Sequence, residues 1–382
     1  MARSKDIRLA PRFFEASRLA SLFDALDDRG YEIIGPTVRD GAVVLDQIHS
    51  PSELPAGWID EQSPGHYRLN QGAEQCFFAH AVGPHSWKKF LHPAEIRLWE
   101  AEWQNGTFRI LNNRGSKRTQ FAFLGVRACD LAAIAVQDRV LMGDKYRDPI
   151  YSNRRDGTFI VAVHCTHSVE TCFCASVGTG PRGIDNFDLA LTEILNTQGH
   201  YFIATARSKR GAEVLSEIES IPATEEHLRQ ETDDIDAAAN RQVRNIDTHD
   251  LKELLSKNFD NSRWEQMSAR CLTCANCTMV CPTCFCTTVE DASDLSGNRA
   301  ERWRRWDSCF TLSFSYIHGG SVRLSAKSRY RQWMTHKLAS WVDQFGMLGC
   351  VGCGRCITWC PVGIDLTEQV RILREGETNG NP

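Results

Sequence analysis

A chain of 382 residues with 42% hydrophobic and 24% charged residues has the makeup of a soluble globular protein, with room for two or three domains that each bury a core. Its formal net charge of −4 gives no general reason to expect a nucleic acid or a membrane surface as partner. No stretch approaches the run of about eighteen apolar residues that a bilayer span needs, and "MARSKDIRLAPRFFEASRL" lacks the apolar core and small-residue cleavage site of an export signal.

In chain order, Leu19, Leu22, Phe23 and Leu26 recur at helical spacing, and Gly30 supplies a stop. "YEIIGPTV" and "GAVVLDQI" follow as β-branched runs around "RDG", which predicts a hairpin. "TQFAFLGV" (119–126) predicts a buried strand and "DLAAIAVQDRVL" (130–141) a helix capped by Asp130. "TFIVAVHC" (158–165) predicts a second buried strand, "FDLALTEIL" (187–195) a helix, and "HYFIATA" (200–206) a third strand. The alternation predicts a mixed α/β domain with a partly parallel sheet over residues 1–220. The stretch 221–262 is polar, acid-rich and free of cysteine, and reads as exposed helices bridging to a second domain at 263–382.

The chain holds sixteen cysteines, and eleven of them lie after residue 270. A disulfide framework suits small exported domains, whereas clustered cysteines in a reducing cytoplasm are more often metal ligands. A cytoplasmic metal-binding protein is therefore expected. Cys271, Cys274, Cys277, Cys281 and Pro282 form a C-x2-C-x2-C-x3-C-P run, which Cys350, Cys353, Cys356, Cys360 and Pro361 repeat without change. That run is the signature of bacterial two-cluster ferredoxins. Three thiolates at this spacing let a tight loop wrap one corner of an iron–sulfur cube, and the fourth cysteine of each run reaches the opposite cluster. The spacing assigns Cys271, Cys274, Cys277 and Cys360 to one [4Fe–4S] cluster, and Cys281, Cys350, Cys353 and Cys356 to a second. Zinc is the bland alternative, although zinc sites usually pair two CxxC units across a gap.

The expected architecture is thus an α/β (α+β) domain followed by a two-cluster ferredoxin-like domain, interrupted by a helical insertion at 282–349. The insertion carries "RAERWRRWDSCF", whose arginines are expected beside the clusters, against an acidic partner, or on a solvated face. Nucleic acid is the weakest reading of that stretch.

"TCFC" occurs at both 171–174 and 283–286. Cys129 and Cys165 end two predicted parallel strands, so both would emerge at the carboxyl edge where α/β folds place ligands. Cys172 and Cys174 follow on the loop that leaves that edge. A third metal site held by Cys129, Cys165, Cys172 and Cys174, most simply another iron–sulfur cluster, is the hypothesis. Four ordinary buried cysteines are the alternative. Cys76, Cys284, Cys286 and Cys309 have no assignment. No dinucleotide fingerprint, P-loop, HExxH or GxSxG appears, so the chain is expected to carry electrons while catalysis lies on partner subunits.

The segments "YEIIGPTVRDGAVV", "AVGPHSWKKFL", "GVRACDLAAIAVQDRV", "CTHSVETCFCASVGTGP", "CLTCANCTMVCPTCFC", "WDSCF" and "GCVGCGRCITWCPVGID" carry a resemblance. The chain resembles the iron–sulfur β subunit of cytoplasmic NADP-linked [NiFe] hydrogenases, the sulfhydrogenases, and the related A subunit of anaerobic sulfite reductase. "GPTVRDG" and "GPHSWKKFL" favour the hydrogenase branch. The resemblance implies a relay between a flavin-containing NAD(P)H subunit and the small and large subunits of a [NiFe] hydrogenase. The alternative it leaves is service to a sirohaem sulfite reductase. A zinc-bound interaction or nucleic-acid module is a reading from another class.

Overall fold

Two strands with no polar position form the centre of the N-terminal part. A computed structural model describes residues 10–111, 120–143 and 145–378. Its strands run β1 Arg12–Glu15, β2 Glu32–Arg39, β3 Ala42–Gln47, β4 Trp58–Ser63, β5 His66–Gln71, β6 Glu95–Gln104, β7 Thr107–Leu111, β8 Phe121–Val126, β9 Phe159–Val163, β10 Leu189–Asn196, β11 Gly199–Ala206 and β12 Ile221–Pro222. The helices among them are α1 Leu19–Asp27, α2 Lys88–Leu91, α3 Ala128–Leu141, α4 Pro149–Arg155 and α5 Lys209–Ser216.

Eight strands form one sheet in the order β12-β1-β11-β10-β9-β8-β2-β3. The pairs β10/β9, β9/β8 and β8/β2 are parallel, and the flanking pairs are antiparallel. Every residue of β8 and β9 is buried, as central strands covered on both faces require. Ala122, Leu124, Val161 and Val163 pack beneath α1 and α5. Phe121, Phe123, Ile160 and Ala162 face the opposite way, against residues of α2, α3 and α4. The helix expected at 187–195 is instead β10, paired with β9 on one side and hairpinned to β11 on the other. Leu189 and Leu191 point to one face while Ala190 points to the other. A strand buried on both sides has no polar alternation, and its apolar run imitates a short helix.

Asp130 is not the cap of α3. Arg127 occupies that position, and Asp130 lies inside the first turn, engaged by Arg355.

The C-terminal part contains α6 Glu225–Asn240, α7 Leu251–Lys257, α8 Arg263–Ala269, α9 Asn276–Met279, β13 Thr287–Ser293, β14 Arg299–Trp306, α10 Ala326–Thr335, α11 Trp341–Phe345, α12 Arg355–Thr358 and α13 Leu366–Thr378. A π-helical turn, His336–Ser340, joins α10 to α11. Trp264, Phe310, Trp333, Leu338, Ile357 and Leu373 belong to its core. Segment 221–262, expected as an exposed bridge, adds Ile246, Leu251, Leu254 and Leu255 to that core.

The insertion carries its helices in the second half, preceded by the hairpin β13–β14. β14 pairs with β6, giving a four-stranded antiparallel sheet β13-β14-β6-β7 that runs across both parts of the chain. The tryptophans and arginines of 302–306 are all half-buried along this strand. Its arginines are matched by carboxylates of this chain: Arg302 by Asp291 at 2.6 Å, Arg305 by Glu95 at 2.8 Å, and Arg304 by Asp148.

Candidate metal centre

The two cysteine runs fold into the same loop. Thr273 and Ala275 of the first run are left-handed, with φ of +51° and +66°. Their counterparts Gly352 and Gly354 have φ of +62° and +74°. Each run then enters one short helix that carries the third cysteine, Cys277 in α9 and Cys356 in α12. Left-handed residues on either side of the second cysteine turn backbone N–H groups toward a common centre, which favours an anionic group. Thr273 N–H donates to Cys271 Sγ at 3.4 Å, and Ile364 N–H donates to Cys360 Sγ at 3.3 Å. The second run needs glycine for an additional reason. A Cβ on Gly352 would lie 2.6 Å from Cys174 N, and one on Gly354 would strike Thr171 O.

Cys271, Cys274 and Cys277 line one pocket together with Cys360 from the other run, walled by Phe310, Tyr330 and Trp333. Cys274 is exposed there, whereas Cys277 is held well above the usual thiol range, first by burial and then by neighbouring thiols. Cys356 lines the same pocket. Burial also raises Cys356, and Cys350, Cys353 and Cys281 raise it further. Cys350 is pushed up to about 12 by burial, against the opposing charge of Lys337. Cys281, Cys350, Cys353 and Cys356 thus form a second thiol group, which meets the first at Cys356.

The residues of the third candidate site also lie near one another. β8 and β9 are parallel neighbours, and Cys129 and Cys165 follow their carboxyl ends. Cys172 and Cys174 sit on the loop beneath the second run, where Phe173 N–H donates to Gly352 O at 2.9 Å and Thr179 Oγ1 donates to Val351 O at 2.7 Å. Burial raises all four thiols. Cys174 adds to the shift of Cys172 and of Cys129, and Cys165 adds to that of Cys174. Cys353 of the second thiol group acts on both Cys129 and Cys174. Gln242 Nε2 donates to Cys174 Sγ at 3.2 Å.

The donor set suits iron–sulfur clusters. It is all thiol, it is mostly buried, and it is arranged around loops whose N–H groups face sulfur. Among the described residues no three His, Cys, Asp or Glu side chains converge as a single ion requires. A single zinc ion draws its thiolates to about 2.3 Å from one point, while the corners of a cube are more widely spread.

Other functional groups escaped the motif reading. Arg355, inside the second run, is buried and pairs with Asp130. Lys337 is buried, with Nζ 3.3 Å from Cys281 Sγ. Its signal is present in the sequence, since Lys337 lies four residues after Trp333 and four before Trp341, on the apolar side of a helical run. Cys284 adjoins Cys281 of the second group, while Cys309, pushed up to about 12 by burial and by Cys286, acts on Cys277 of the first. Cys76 stands elsewhere, near Glu193, pushed up to about 12 by burial.

Comparison with known proteins agrees with this geometry. The family model described as a 4Fe-4S dicluster domain matches residues 270–364. The chain is similar to the sulfhydrogenase 2 subunit beta of Pyrococcus furiosus, with 33% identity over 260 residues, covering 67% of this chain and 75% of that protein. Among the described residues no helix is long and apolar enough to cross a membrane.

Proposed function

The chain belongs to the family of sulfhydrogenase β subunits, and from that premise we propose that it is the cytoplasmic iron–sulfur relay of such a complex. Cys271, Cys274, Cys277 and Cys360 would hold one [4Fe–4S] cluster, and Cys281, Cys350, Cys353 and Cys356 a second. Cys129, Cys165, Cys172 and Cys174 would hold a third. When bound, such clusters supply one-electron carriers whose potentials follow burial and hydrogen bonds to sulfur.

One observation carries the reading: Cys360 lines the pocket of the first run's triad and acts on both Cys271 and Cys277. That exchange of fourth ligands is the two-cluster pattern. The chain's own residues do the rest. Phe310, Tyr330 and Trp333 close the first pocket to water, and Cys274 leaves it open on one edge. Cys356 lines the pocket of the first group, and Cys353 neighbours Cys129 and Cys174, so the order is third group, second group, first group. A row with exposed Cys274 at one end and part-exposed Cys165 and Cys172 at the other suits passage of electrons between two partner proteins. The partners proposed are a flavin-containing NAD(P)H subunit and the small and large subunits of a [NiFe] hydrogenase.

Anaerobic purification with its native partners tests this. A brown chain with EPR signals on reduction, bound to a nickel-containing protein, is expected. A colourless, zinc-loaded chain would overturn the relay, and a sirohaem partner would assign it to sulfite reduction instead.

A further inference from the structure

Lys337 is 5% exposed, yet its ammonium has no carboxylate partner among the described residues. Nζ donates instead to Cys281 Sγ at 3.3 Å, Thr283 Oγ1 at 2.9 Å and Gly349 O at 3.0 Å. A buried cation without a counter-charge is costly, so the negative partner must be at Cys281. Thr283 and Gly349 stand next to the cysteines of the second group, at the ends of the two segments that bring Cys281 and Cys350 together. Thr283 Oγ1 also donates to Gly349 O at 2.7 Å. The three acceptors fix the lysine on one sulfur rather than leaving it to roam.

The backbone explains how a lysine comes to face inward there. His336–Ser340 is a π-turn between α10 and α11, and such turns insert one residue and occur often at functional sites. Trp333 and Leu338, on either side, are core residues. Lys337 shares their side of the helix, and its stem is buried with them while its head reaches the thiol.

We infer that Lys337 is a positioning residue that raises the reduction potential of the cluster ligated by Cys281, by holding a fixed ammonium on that ligand sulfur. Reduction by one electron adds a negative charge to the cluster, and a buried cation in hydrogen-bond contact favours the more negative state. Hydrogen bonding to ligand sulfur acts in the same direction. No such cation contacts Cys271, Cys274, Cys277 or Cys360 among the described residues. The first and second clusters are therefore unlike in potential despite identical spacing. This rests on the assignment of Cys281 to the second cluster.

The test is an EPR-monitored redox titration of the anaerobic, iron-loaded full chain, compared with Lys337→Met, Lys337→Gln and Lys337→Arg. Removal of the charge is expected to lower the reduced-to-oxidised ratio of one cluster at least tenfold at fixed potential, a shift of about 59 mV for a one-electron couple. Lys337→Gln keeps a polar contact without charge and provides the comparison if Lys337→Met binds less iron. Lys337→Arg is expected to retain most of the wild-type potential. Iron-replete Lys337→Met or Lys337→Gln with unchanged midpoints would overturn the inference. An iron-free wild-type chain would instead refute the relay itself, so the two failures are distinct.

Discussion

Arg355 and Asp130 form a buried bidentate ion pair, with Nη1–Oδ1 at 2.9 Å and Nη2–Oδ2 at 3.1 Å. Arg355 lies between Cys353 and Cys356, and Asp130 follows Cys129, so the pair clamps the second thiol group to the third. Arg355 Nε also donates to Gly83 O at 3.0 Å, which ties in the loop before α2. Removing one partner leaves the other charge buried and alone. Asp130→Ala is expected to cost about 3–5 kcal/mol of stability, and Asp130→Leu combined with Arg355→Met distinctly less. Thermal midpoints of the iron-loaded variants measure this. A double variant as unstable as the sum of the singles would show that the two charges are not coupled.

The tight seat of the second run on Thr171–Cys174 gives a contrast between equivalent positions. Gly354→Ala forces a Cβ onto Thr171 O at a left-handed residue, and an overpacking loss of about 1–3 kcal/mol is expected. Ala275→Gly, at the matching position of the first run, is expected to change stability by no more than about 1 kcal/mol. Equal losses at the two sites, read by chemical denaturation, would contradict the asymmetry.

How much of this was legible in the sequence differed by element. The paired cysteine spacing is a chemical constraint written in local sequence, and it carried both motif groups. The hairpin of β2 and β3 follows from β-branched runs, and the buried strands β8 and β9 from continuous apolar runs. β10 does not, because burial on both faces erases the alternation that separates strand from helix. Asp130 reads as a cap in the sequence because its partner, Arg355, is distant along the chain. The β14–β6 pairing was equally hidden, since nothing local to 299–306 specifies a strand two hundred residues earlier.

The proposed ligand exchange between the runs has a spectroscopic consequence. Cys360→Ser is expected to alter the EPR signal that Cys274→Ser alters, and Cys281→Ser the signal that Cys353→Ser alters. Cys360→Ser acting on the same signal as Cys353→Ser would mean that each run completes its own cluster.

A pH dependence follows from His92. Its ring is buried, neither nitrogen has a partner among the described residues, and its pKa is lowered to about 4 by burial, then by Arg304 and Lys88. The unfolded chain takes up this proton near pH 6.5, while the folded chain resists it until about pH 4. Stability from this group is present above about pH 6.5 and lost as pH falls through that window, on the order of 3 kcal/mol in all. His92→Phe keeps an aromatic ring facing Trp306 and removes the proton site. Its thermal midpoint is expected to fall less than the wild type's between those pH values. Parallel declines would contradict the assignment.

The central claim is a relay of three clusters in one chain, and iron content tests it most directly. Anaerobically isolated protein is expected to hold about twelve iron atoms per chain, falling to about eight in Cys165→Ser. About eight in both would contradict the third cluster and shorten the relay to its two motif groups.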